Sequence, residues 1–139
     1  MTELPKTGRL LAIDPGSKTL GLAITDVSQM MAHPLRTVKR SKWTQDREQL
    51  SKVIEEQQVV GIVMGYPRNA DGSEGPACQA VRALVRNLEA LTDLPILLQD
   101  ERFTTSEAEA ALIGRNTKQS GRLDAAAAAI ILEDYLRGR

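Results

Sequence analysis

The sequence predicts an α/β fold, a mixed and mainly parallel five-stranded sheet flanked by helices, and three observations carry that expectation. The run VVGIVM at 59–64 is apolar without alternation, as a strand covered on both faces requires. Ala77, Val81, Leu84, Leu88 and Leu91 recur at spacings of four and three, which makes one apolar helix face. Strands and helices then alternate after a strand-rich start, in the order βββαβαβαα, a pattern that packs helices on a sheet.

The elements follow in chain order. RLLAID at 9–14 and LGLAIT at 20–25 are short apolar runs separated by Pro15 and Gly16, so a compact turn joins two strands, and its shortness favours an antiparallel pair. A third strand is expected over 34–39, and a helix over 44–57 with Leu50, Val53 and Ile54 on one face. After the buried strand at 59–64, which belongs in the middle of a sheet, GYPRNADGSEG at 65–75 is rich in turn formers and reads as a loop. Pro76 sits where a first helical turn tolerates proline. PILLQ at 95–99 is the fifth strand. Thr104 and Glu107 have capping-box spacing, which starts a helix running to about Ile113. Residues 114–122 are polar, basic and aperiodic, a loop, and the alanine-rich segment from Leu123 to Leu136 closes the chain as a helix able to pack closely on the sheet.

A chain of 139 residues, 42% hydrophobic and 26% charged, fits a single domain over 1–139 with its own core and excludes a fibrous or disordered polymer. One cysteine, Cys78, can make neither an internal disulfide nor a zinc cluster, and its place beside Val81 and Val85 assigns it to the core. No run reaches the ~20 apolar residues of a membrane span, and the amino-terminal stretch lacks the apolar segment of a signal peptide, so the expected compartment is the cytoplasm. Lysine plus arginine equals aspartate plus glutamate at 18 each, so any nucleic-acid binding must come from local clusters.

Three carboxylates stand at comparable points: Asp14 ends the first strand, Glu101 follows the fifth, and Asp124 begins the last helix. Taken singly, Asp14 can start the Asp-Pro-Gly turn, Asp124 can complement a helix dipole, and Glu101 can make a surface ion pair. Taken together, they fall where parallel strands open into a binding crevice. Carboxylates brought together repel unless divalent cations neutralise them, and oxygen-only ligands suit Mg2+ or Mn2+ rather than zinc.

Four motifs in order, LLAIDPGSKTLGLAITD, VVGIVMGYPRNADGSEGPA, DERFTTSEA at 100–108 and LDAAAAAIILEDYL, closely resemble the YqgF family, also called RuvX, of RNase H-like proteins, from about Leu10 to Leu136. The resemblance implies an RNase H-like fold with Asp14, Glu101 and Asp124 at the family's acidic triad. It also implies a nuclease that trims the 5′ end of the small-subunit ribosomal RNA precursor or, alternatively, a Holliday junction resolvase; a binding module that does little catalysis is the third reading. The triad implies a two-metal site that activates water on one side of the phosphate and steadies the leaving oxygen on the other. Lys18 and Arg102 could add positive charge beside the phosphate, and Arg115, Lys118 and Arg122, next in sequence to Asp124, could order over bound nucleic acid. The expected partner is structured RNA or branched DNA, bound by a monomer or a homodimer, with no membrane. RuvC-type resolvases commonly carry a fourth acidic ligand three residues after the one on the last helix, where this chain has Ala127. Asp100 does not simply fill that place, because neighbours on an extended strand point to opposite faces. The cluster Lys39, Arg40 and Lys42 with Trp43 reads either as a phosphate and base contact or as a basic turn before a helix.

Overall fold

The computed structural model describes residues 3–69, 71–100 and 120–139, with side chains of the last segment from Ala125 onward. The expected helix over 104–113 and most of the basic segment at 114–122 lie outside the described residues.

Five strands, β1 (Arg9–Pro15), β2 (Thr19–Thr25), β3 (Ala32–Lys39), β4 (Val59–Tyr66) and β5 (Ile96–Asp100), form one sheet in the order β3-β2-β1-β4-β5. β2 pairs antiparallel with β1 and β3, whereas β4 pairs parallel with β1 and β5, so every strand but β2 points the same way. The short turn at Pro15–Gly16 sets the first pairing as expected. β4 is interior, and β1 is central. Among the described residues the helices are α1 (Trp43–Gln57), α2 (Pro76–Leu91) and α3 (Ser120–Gly138).

The unalternated strands divide their side chains between two apolar layers. Leu11, Ile13, Leu20, Leu22, Ile62, Met64 and Tyr66 join Leu50 and Val53 of α1 and Cys78, Val81, Leu84 and Leu88 of α2. Leu10, Ala12, Ala23 and Val63 face the other way and meet Ala128, Ala129, Ile131 and Leu132 of α3. Alanines on both sides of that second layer let α3 lie close to the sheet, and it crosses β1, β2 and β3. Cys78 is buried and free, as its helical pattern indicated.

Of the boundaries that differ from expectation, two bear on the site. β4 runs on through Gly65 and Tyr66, assigned above to a loop, because both pair with β5 (Gly65 with Gln99, Tyr66 with Asp100) and ladder hydrogen bonds outweigh glycine's poor strand propensity. The last helix begins at Ser120 rather than Leu123, so Arg122 is helical and Asp124 stands past the first turn; serine and glycine are tolerated there because the first N–H groups have no helical partner in any case.

The carboxyl end of α3 is tied to the amino end of the sheet. Gln29, buried in the β2–β3 turn with φ 57°, donates to the carbonyls of Pro5 and Gly8, both at 2.9 Å, and Arg139 donates to Gln29 in turn. α3 therefore runs against the direction of β1. Among the described residues no helix is long and apolar enough to cross a membrane.

Candidate functional site

Asp14 is half-buried near the carboxyl end of β1 and pairs with Gly21. Strand alternation puts it on the α3 side with Leu10 and Ala12. Gly21 pairs onward with Thr37, so Asp14, Gly21 and Thr37 form a row across three strands, and glycine leaves the middle of that row without a side chain. From position 124 to the end of the chain α3 rises roughly 22 Å at 1.5 Å per residue, and Gly8 to Asp14 spans roughly 20 Å of strand, so α3 is long enough to run from one end of the sheet to the other.

A second polar group lies on the opposite face, at the ends of β4 and β5. The buried Tyr66 hydroxyl donates to Glu74 Oε1 at 2.5 Å and accepts from Arg82 Nε at 2.7 Å, while Arg82 Nη2 reaches the same Glu74 oxygen at 2.9 Å. Arg68 lies over the Tyr66 ring at 5.4 Å and Arg82 at 5.5 Å, both within cation–π range. Arg68 also approaches Asp100 at 3.9 Å and Glu74 at 3.8 Å, and its buried Nε has no hydrogen-bond partner among the described residues. Asp100, paired with Tyr66 across the ladder, therefore faces away from Asp14.

The RuvX family, described as "Holliday junction resolvase", matches residues 8–138. This chain belongs to the RuvX family. A "Putative pre-16S rRNA nuclease" of Paracoccus denitrificans is 45% identical over 136 residues, covering 96% of this chain and 86% of that protein. A relative of the same name from Paramagnetospirillum magneticum is 44% identical across 100% of this chain and 92% of its own length. Among solved structures, RuvC of Thermus thermophilus in complex with a Holliday junction superposes with a TM-score of 0.58 at 20% identity, covering 95% of each chain. The resolvase of fowlpox virus superposes at 0.52 with 10% identity, covering 94% of this chain and 97% of its own. These likenesses show that the RuvX chain shares its fold with those two resolvases.

Of the site residues expected from the RuvX motifs, Asp14 and Lys18 are described with their side chains, Lys18 exposed in the β1–β2 turn. Arg122 and Asp124 are placed by the α3 backbone alone. Glu101, Arg102, Arg115 and Lys118 lie outside the described residues. Among the described residues no group of three or more histidine, cysteine, aspartate or glutamate side chains is disposed to hold a metal ion. A cleft of about 550 Å³ between Leu4, Leu97, Tyr135 and Arg139 opens on the α3 side of the sheet, and Asp14 is not among its described lining residues.

The turn that carries Asp14 is braced. Gly16 N donates to Thr19 O at 2.9 Å, Arg40 Nη1 donates to Gly16 O at 2.7 Å, and Arg40 N donates to Lys18 O at 2.8 Å. Arg40, which could have been a phosphate ligand, is thus committed to the backbone, and Trp43 packs against the core rather than standing free to stack on a base. A Cβ at Gly16 would come within 2.7 Å of the Thr19 carbonyl oxygen. Gly16→Ala is accordingly expected to cost about 1–3 kcal/mol, read from urea unfolding, since backbone must shift to admit the methyl group.

Glu74 is held below its ordinary value of 4.5, chiefly by the Tyr66 hydroxyl and then by Arg82, whereas burial and Glu74 push Tyr66 upward. A carboxylate depressed on folding stabilises fully above 4.5 and loses that contribution as pH falls through its folded value. Unfolding midpoints followed from pH 6 to pH 3 should therefore drop more steeply below about pH 4.5 in the native chain than in Glu74→Gln. The effect is modest because both partners of the Arg82–Glu74 pair are solvent-accessible. The sequence reading missed this group: Tyr66, Glu74 and Arg82 are eight residues apart in turn, and only the return of α2 over β4 brings them together.

Proposed function

We propose that this chain is a divalent-metal-dependent nuclease that processes the 5′ end of precursor 16S ribosomal RNA, with Asp14, Glu101 and Asp124 as its metal-holding carboxylates. The observation that carries the reading is near-full-length similarity, at 44–45% identity, to relatives bearing that activity in their name. The donors fit the ion. Asp14 offers carboxylate oxygen at the open end of β1, and a set of three carboxylates supplies the oxygen-only ligands that Mg2+ or Mn2+ prefers. Mg2+ or Mn2+ bound there, as a pair in the two-metal reading, would supply Lewis acidity and a water of lowered pKa. The chain's own part is to fix Asp14 on a rigid central strand and to keep Lys18 beside it on the braced turn, where its ammonium offsets phosphate charge. Arg102, Arg115, Lys118 and Arg122 are proposed to hold the remaining nucleic acid, in the cytoplasm.

A second reading, a Holliday junction resolvase, is favoured by the family's own description. It requires two sites acting together, hence a homodimer, whereas trimming one RNA end needs only a monomer. End-labelled precursor leader RNA and a four-way DNA junction, each incubated with magnesium, manganese or EDTA, separate the two. Metal-dependent cutting of the RNA alone supports the first reading, cutting of the junction alone the second. Tight binding without any cleavage would overturn both in favour of a non-catalytic module.

A further inference from the structure

We infer that the end of β3 and the start of α1, together with the β1–β2 turn, form a phosphate-binding strip for nucleic acid, with Lys18, Lys39 and Lys42 as its contacts. The inference rests on the nuclease reading for the identity of the ligand but not on catalysis.

The strip is local. The chain is neutral as a whole, yet from 33 to 47 it carries Arg36, Lys39, Arg40, Lys42 and Arg47 against Asp46 alone. Asp46 is buried, and its carboxylate accepts from Ser41 N at 3.0 Å and Ser41 Oγ at 3.3 Å, so it serves the backbone of the turn rather than the lysines. Lys18, Lys39 and Lys42 are exposed, and among the described residues none of them makes an ion pair.

The strip also adjoins Asp14. β3 runs with β1, so its carboxyl end reaches the same end of the sheet. Lys39 pairs with Thr19 and lies two residues beyond Thr37, on the face that carries Asp14. Two strand spacings across and two residues along put its Cα roughly 12 Å from that of Asp14, a few nucleotides of a helical strand. Arg40 bonds the carbonyls of both Gly16 and Lys18, which locks the two halves of the strip together before any ligand arrives.

Lys42 is the strongest sign that stability alone did not choose these residues. It is the N-cap of α1 and makes no side-chain cap hydrogen bond. Lysine is a poor N-cap, and its charge opposes the positive end of the helix dipole. A phosphate at that position would be attracted by both.

The test is binding of fluorescein-labelled probes, an RNA hairpin spanning the leader–mature boundary of precursor 16S rRNA and a four-way DNA junction, by fluorescence anisotropy in EDTA over a series of salt concentrations. Each lost phosphate contact should remove about 0.9 from the slope of log K against log salt. The triple variant Lys18→Ala/Lys39→Ala/Lys42→Ala should lose about 2–3 from that slope and at least ~10-fold in affinity at low salt, with the circular dichroism spectrum unchanged. Arginine at the same three positions should restore the slope. Lys52→Ala, an exposed charge farther along α1, should leave it as it was. A slope unchanged in the triple variant, or lowered equally by Lys52→Ala, overturns the strip while leaving the nuclease reading intact. Absence of salt-dependent binding to either probe by the native chain overturns both.

Discussion

Asp14→Asn is expected to slow metal-dependent cleavage at least ~100-fold in single-turnover assays, with the circular dichroism spectrum of the folded chain retained. Asparagine keeps the size of the side chain and one oxygen, so the packing at the end of β1 survives while the charge that would hold a divalent ion is lost; removing one preorganised electrostatic group from such a site costs about that factor. The experiment gains force from a pair of neighbours. Asp100 faces the α1 and α2 layer and approaches Arg68, so Asp100→Asn should change the rate less than ~3-fold. Glu101→Gln should match Asp14→Asn. Equal losses at 100 and 101, or a greater loss at 100, would show that the acidic site is not built on the alternation of β5.

Tyr66→Ala is expected to destabilise the protein by about 3–5 kcal/mol, a large share of the ~5–15 kcal/mol that holds a domain folded. The ring is buried among Met64, Cys78 and the residues of α2, and its hydroxyl is the shared partner of Glu74 and Arg82. Tyr66→Phe separates the two contributions. It keeps the ring and the direct Arg82–Glu74 contact, so it should cost only about 1 kcal/mol, the value of a hydrogen bond whose partners remain satisfied by each other and by water. Urea unfolding of both variants reads the difference, and a phenylalanine as damaging as alanine would mean that the hydroxyl, not the ring, holds α2 to β4.

What the sequence made legible was whatever repeats locally. The buried run at 59–64, the apolar face of α2 and the turn at Pro15–Gly16 each depend on a few adjacent residues, and each was found where it was expected. The family motifs added Asp14 as a site residue, and the end of β1 on the α3 side is where it lies. The order of the strands was not legible, because it depends on crossovers between distant segments. Neither was the part played by Arg40, since the same basic residue can bind a phosphate or a carbonyl and only the fold put Gly16 O within reach. Tyr66 and Glu74 were hidden inside a stretch whose glycine, proline and aspartate content reads as loop, although its first two residues complete β4.

Strand β3 has a consequence for how copies of the molecule can meet. It is an outer strand of the sheet, the register slips between its partners Leu22 and Ala23, and Pro34 withholds a backbone donor. With His33, Arg36 and Lys39 exposed along it, this margin resists the addition of a foreign strand, the usual route by which open sheets polymerise. Continuous sheet formation between two copies through β3 is therefore disfavoured, and any two-fold assembly able to cut a junction symmetrically would have to be built on another surface.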